Sequence, residues 1–238
     1  TMTPYEMFLI NLPYSDLETP YTAPALLKGI AEAHNYEIHT HDFNIDLKTK
    51  ICKNNQDLFM DVQESFISTG GTAKTENIAR SFYDHVIDKI EKTPARYLGI
   101  SVFSVYTHKA TMDICKILRR KLPDIKIVLG GRGLNVRSHR RLKDQLIEDD
   151  YKNKKFSDIM LENNLCDELI IGDAEDALIE LFSGQKSSDQ MKWYVAASNN
   201  LDYPFANFDD YKMDAYTGVA GKPQMHVISS KGCVRACD

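Results

Sequence analysis

Two stretches of this chain, Tyr97 to Phe103 and Ile125 to Leu129, are apolar almost throughout, without the polar alternation of a strand that has one face in water. Strands of that kind are covered on both faces, and the segments between them must supply the cover. His108 to Leu122 does so, with Ile114, Cys115, Ile117, Leu118 and Leu122 on one helical stripe that Pro123 stops. The pattern begins at the amino terminus. Met7 to Leu12, bounded by Pro13, reads as a buried strand, and Ala23 to His34 follows with Leu26, Leu27, Ile30 and Ala31 at helical spacing. Tyr36 to Phe43 alternates, with Ile38, Thr40 and Asp42 on one face and His39 and His41 on the other. Asp167 to Ile171 supplies a fifth strand, and Gly172 to Asp176 caps the helix Ala177 to Phe182 with acidic side chains suited to its N-terminal dipole. Repeated β-α units predict an α/β fold, a doubly wound (flavodoxin-like or Rossmann-like) parallel five-stranded sheet.

The 238 residues suffice for one large domain and the start of another. We place the first domain at 1–200, with a helical insertion at about 44–93 interrupted by Ser68-Thr-Gly-Gly71 and closed by Pro94. A linker follows at 201–222, and a second domain begins at 223 with a strand from Gln224 to Ile228. With 43% hydrophobic and 26% charged residues, the composition excludes a disordered or fibrous chain. No apolar run approaches the roughly 20 residues that span a bilayer, and no secretory leader is visible, so the expectation is a cytoplasmic protein without membrane contact. Five cysteines, with Cys52, Cys115 and Cys166 scattered, do not form a disulfide framework, and Cys115 sits on a core stripe. The formal charge of −5 argues against nucleic-acid coating. The basic run ending at Val136-Arg-Ser-His-Arg-Arg-Leu-Lys143 leaves RNA as a minor alternative partner, its ordinary role being a solvated helix face.

Ligands of doubly wound sheets bind beyond the carboxyl ends of the strands. That selects the loops after each strand, and within them Pro13, Tyr14, Ser104, Val105, Tyr106, His108, Arg132 and Asp173 as cofactor-facing positions. Gly130-Gly131 is either a tight turn or a place where backbone approaches a flat ligand, and Ser101 can hydrogen-bond a buried heterocycle. His39 and His41 share a strand face but lack a third ligand, so a packed or solvated polar face is their expected role.

Near the carboxyl terminus, Ser229-Ser-Lys-Gly-Cys-Val-Arg-Ala-Cys237 places Cys233 and Cys237 in a C-x-x-x-C spacing after a strand and a glycine turn. A zinc site would call for further ligands nearby, and none follow. The segment resembles the first part of the C-x-x-x-C-x-x-C loop of radical S-adenosylmethionine (radical SAM) enzymes, whose third cysteine would fall after Asp238. Upstream, Leu98-Gly-Ile-Ser-Val-Phe103, Ile127-Val-Leu-Gly-Gly131 and Cys166 to Glu175 occur in the order seen in members that carry an N-terminal cobalamin-binding domain. That domain's pattern is D-x-H-x-x-G, S-x-L and G-G. Ser101-Val-Phe103 resembles the second element with Phe for Leu, Gly130-Gly131 the third, and Gly172-Asp-Ala-Glu175 the family's G-E-G-E-like turn, where helix capping is the plainer role of Glu175.

The resemblance implies a [4Fe-4S] cluster and S-adenosylmethionine in the intact protein, with Cys233 and Cys237 as metal ligands and the chain from 223 opening a partial barrel. It implies cobalamin in the pocket, without a protein histidine ligand, because the first loop reads Asp16-Leu-Glu-Thr-Pro-Tyr21 and lacks both histidine and glycine. The activity implied is radical chemistry such as methyl transfer, which this portion would not perform alone. The alternatives are a non-catalytic binding module with a degenerate pocket, or an enzyme that modifies RNA.

Overall fold

The computed structural model of the chain describes residues 5–15, 17–68, 70–136, 154–185, 192–194 and 202–226. The five expected strands are present as β1 (Tyr5–Asn11), β2 (Ile38–Asp42), β3 (Ala95–Ser101), β4 (Ile127–Gly130) and β5 (Glu168–Ile171). A sixth, β6 (Lys192–Tyr194), pairs with β5; three residues are too few to show a period in sequence. Every pairing is parallel and the order is β2-β1-β3-β4-β5-β6. The chain steps outward from β1 to β2, crosses back over β1 to β3, and then continues the other way. The reversal opens a switch point between the carboxyl ends of β1 and β3.

The helices are α1 (Thr22–Ala33), α2 (Phe43–Asp46) running into a π-helical turn (Leu47–Ile51), α3 (Gln56–Asp61), α4 (Gln63–Ile67), α5 (Ala73–Glu91), α6 (His108–Lys121), α7 (Phe156–Glu162) and α8 (Glu175–Ser183). Strand side chains alternate, so the sheet feeds two cores. Met7, Leu9, Val128 and Ile170 pack with Ala31 of α1 and with Ala177, Leu178, Leu181 and Phe182 of α8. Phe8, Ile10, Leu98, Ile100, Ile127, Leu129 and Leu169 point the other way, into the core that α5, α6 and α7 complete. This two-sided cover makes the fold an α/β, doubly wound, Rossmann-like parallel sheet.

The polar stretch expected as an insertion is α2 to α5, broken at residues 68–72. It belongs to the domain core. Phe59, Val62, Phe66 and Phe82 are buried, and α5 is the crossover that returns the chain to β3, opened by a Thr72–Thr75 capping box.

Residues 202–226, expected to be mostly linker, lie as a strap over α1 and the β2 edge. Asp210 accepts from the Thr40 amide (2.9 Å) and hydroxyl (3.1 Å) and pairs with Lys28 and His39. Asn207 donates its backbone N–H to Ala25 (2.8 Å), and Tyr216 donates to Asp42 (2.7 Å). A strap on an edge strand uses ladder groups that would otherwise remain open. Gln224 to His226 have no regular structure, and the rest of the expected strand to Ile228 lies outside the described residues. No helix among the described residues is long and apolar enough to cross a membrane.

Candidate functional site

Between α1, α8 and the sheet lies a cleft of about 400 Å³, within the range that holds small ligands. Strand direction gives it two chemically different ends. Toward the strands' middle it is walled by Met7, Leu9, Val128 and Ile170, with Leu26, Leu27 and Leu178 from the helices. Toward the carboxyl ends stand Ser101, Gly130, Gly131, Arg132, Gly172, Asp173 and Glu175.

Two glycines let neighbouring groups approach closely along this wall, whereas a Cβ at Gly130 would meet nothing within 4 Å. A Cβ at Gly99 would come within 2.5 Å of the Met7 sulfur and 2.9 Å of a Leu9 methyl, so the β1 side chains lie across β3 where a side chain would normally stand. Gly131 has φ +107°, and a Cβ there would meet the Val102 carbonyl oxygen at 2.4 Å. Its neighbours clamp the β4 loop onto β3: Val102 N–H donates to Gly130 O (2.7 Å) and Gly133 N–H to Val102 O (2.9 Å). The Gly-Gly pair is thus both a strained-backbone position and part of the cleft wall.

Seven of the expected ligand-facing residues, Ser101, Gly130, Gly131, Arg132, Gly172, Asp173 and Glu175, therefore line one cleft. Six others do not. Pro13 is buried and Tyr14 turns toward α3, its ring on Phe59 (5.0 Å) and its hydroxyl donating to Phe59 O (2.8 Å). Ser104 caps the 3-10 turn Val105–Thr107, and Tyr106, about half exposed, accepts from the Tyr14 N–H (3.3 Å). His108 is buried on the other face of the sheet, stacked on Phe156 (3.9 Å) and bonded through Nε2 to Gly133 O (2.8 Å). The first and third loops bond to each other across the switch point, through the Tyr14 N–H and the Tyr106 carbonyl oxygen. Cys233, Cys237 and 137–143 of the basic run lie outside the described residues. Glu175 and Asp176 do sit in the first turn of α8, but the N-cap is Ala174, which offers no capping side chain.

Sequence reasoning passed over Asn11. It ends β1, is 1% exposed, and neither polar atom of its amide has a hydrogen-bond partner among the described residues. One step past the Ile10–Ile100 pair, it neighbours Ser101 on the same face of the sheet. Its signal was legible: a polar residue inside an apolar run. The aromatic rim was also missed, because Tyr21 and Phe103 are distant in sequence; their rings lie 4.7 Å apart, with the Arg132 guanidinium 5.9 Å from the Phe103 ring centre.

The histidines outside the cleft are engaged. His39 stacks on Tyr5 (5.2 Å) and Phe8 (5.3 Å) and pairs with Asp210. His41 and His85 both bond Asp46 Oδ2, at 2.9 and 2.7 Å, with Lys50 at 3.3 Å. These partners outweigh burial and hold the Asp46 carboxyl well below its ordinary value, whereas burial lowers His41. Asp42 has only neutral donors, Tyr216 and Asn44, and burial raises it. Among the described residues no group of three His, Cys, Asp or Glu could hold a metal. Cys52, Cys115 and Cys166 are free and buried, and burial pushes the Cys52 thiol up to about 11 and Cys166 to about 12. Thiols so raised are poor nucleophiles.

No family model, curated protein or solved structure matches the chain.

Proposed function

We propose that this chain is the cofactor-binding part of a cobalamin-type radical SAM enzyme, and that the α1/α8 cleft takes the heterocyclic end of the cobalamin nucleotide tail. The supporting observation is that Ser101, Gly130-Gly131 and the Gly172 to Glu175 turn, far apart in sequence, wall one cleft with an apolar inner end. The residues suit such a group. Gly130 carries no side chain into the space, since a Cβ there meets nothing within 4 Å; the apolar walls would cover a planar ring, and the Ser101 hydroxyl would meet its polar edge. Cobalamin supplies methyl-group or radical chemistry when bound; the part of this chain is to anchor the tail, exclude water from it and present the ligand at the carboxyl edge of the sheet.

Retention of colour after incubation with hydroxocobalamin and desalting tests the cleft. Visible absorbance at near-stoichiometric cobalamin is expected, and a colourless protein rejects cobalamin as the ligand. The cluster is tested separately, in the full gene product reconstituted anaerobically with iron and sulfide. Cys233→Ala or Cys237→Ala is expected to lose most of the bound iron, and an unchanged content removes both cysteines from the proposal.

A further inference from the structure

The strap leaves the domain at a defined place. Thr217 and Gly218 donate their backbone N–H groups to Leu17 O (3.0 Å) and Glu18 O (2.9 Å) of the first loop, and the Thr22 hydroxyl donates to His226 O (3.1 Å). Thr22 opens α1, and because that helix follows β1 its N-terminus stands at the carboxyl edge of the sheet. Tyr21, one residue earlier, packs on Phe103 with ring centres 4.7 Å apart. His226, where the described chain ends, is thus fastened beside an aromatic rim that faces water: Phe103 is 42% exposed, and Tyr106, in the 3-10 turn that follows it, 49%. Neighbouring exposed aromatic side chains on one edge mark a surface that binds something.

We infer that this rim is the docking surface for the chain's own continuation, with Val227 and Ile228 against Phe103 and Tyr106. Reach is the first argument. At roughly 3.3–3.6 Å per residue, Ile228 lies within about 7 Å of the His226 anchor, and a tethered segment meets a neighbouring surface at an effective concentration on the order of millimolar. Chemistry is the second. The anchor is followed by two β-branched apolar residues and then by Ser229, Ser230 and Lys231, so the apolar pair nearest the rim is the part of the segment that gains most by leaving water. The consequence is positional: Cys233, seven residues past His226, stays within about 25 Å of the anchor, and docking of Val227 and Ile228 keeps it on the side where the cleft opens. This contact requires neither a bound cofactor nor a metal cluster.

Photo-crosslinking in the full gene product tests the contact. The photoreactive residue p-benzoylphenylalanine takes the place of Phe103, of Tyr106 or, as a control, of Asp124, which is exposed in the turn before β4 at the opposite edge. Linked peptides are mapped by mass spectrometry. Positions 103 and 106 are expected to give links within one chain to residues 227–230 at least tenfold above position 124. Val227→Asp combined with Ile228→Asp, which leaves every strap contact and both cysteines in place, should reduce that yield at least tenfold. Yields at 103 and 106 no higher than at 124 overturn the inference. Covalent dimers in place of links within one chain also overturn it and assign the rim to a second copy. Links to 227–230 in a protein that retains no cobalamin leave this inference standing and reject the cofactor reading alone.

Discussion

The two faces of the sheet are built from the same strands yet finished differently. On the α5–α7 face Phe43, Phe66 and Phe82 meet edge to face, with ring centres 6.3 Å apart for Phe43–Phe82 and 5.2 Å for Phe66–Phe82, and all three are fully buried. On the α1/α8 face the same strands present Gly99 and Gly130, and a cleft remains. Side-chain volume makes the difference. The first face contributes stability through aromatic packing; the second gives up packing to keep space for a ligand.

That contrast sets the size of each expected effect. Phe82→Ala on the sealed face is expected to cost about 3–5 kcal/mol in urea unfolding, the largest loss considered; a loss near 1 kcal/mol would mean that the aromatic cluster is not close-packed. Gly99→Val should cost about 1–3 kcal/mol, because its new methyl groups would collide with Met7 and Leu9.

Gly130→Val inverts the effect. With no atom within 4 Å of the new Cβ, stability should change by less than about 1 kcal/mol, while hydroxocobalamin retention falls at least tenfold because the side chain occupies the cleft. Unaltered retention would place the ligand elsewhere.

Asp42 and Asp46, four residues apart, extend the contrast to charge. Asp46, on the sealed side, has a lowered folded pKa, so its contribution is fully present above its unfolded value of 3.8 and is lost as pH falls below it. His41, lowered from 6.5, acts in the same direction at higher pH: below 6.5 the unfolded chain takes up the proton first, and stability declines. Asp42, under the strap, is raised from 3.8, so the folded state binds its proton more tightly and acidification through that window favours folding. Asp46→Asn is accordingly expected to cost about 2 kcal/mol at pH 7, a cost that shrinks only as pH falls below 3.8. Asp42→Asn keeps one acceptor oxygen, for Tyr216 or for Asn44 but not both, and loses no ion pair, so it should cost less than Asp46→Asn at pH 7. Chemical unfolding of both variants from pH 7 to pH 3 checks this, and parallel curves would contradict it.

The smallest effect concerns Asn11. Asn11→Leu removes an amide that has no hydrogen bond among the described residues, so the ligand-free protein should match or exceed wild type by up to about 1 kcal/mol. A measured loss of 2 kcal/mol or more would show that the amide is satisfied by water.

The five main strands, their parallel pairing and the two-sided cover were legible in the chain, since apolar runs such as Ile127 to Leu129 admit few other structures. So were the residue types of the cleft, because Ser101 and Gly130-Gly131 stand at strand ends, where doubly wound sheets bind ligands. Legibility stopped at loop direction. Tyr14 and His108 occupy the right loops but turn to the other face, a result set by bonds to Phe59 and Gly133, far from each in sequence. The strap was hidden for a similar reason, as its sequence is loose and only the acceptors and donors of β2 and α1 give it a place.

By itself, then, the order of the residues determined a layered α/β domain with its polar and glycine-rich positions at one edge, because periodicity and burial are local properties of the chain. The tertiary structure decided which of those positions share a cavity and which are sealed in a core. Those outcomes depend on packing between segments as remote as Leu9, Gly99 and Leu178, and no local pattern encodes their distance.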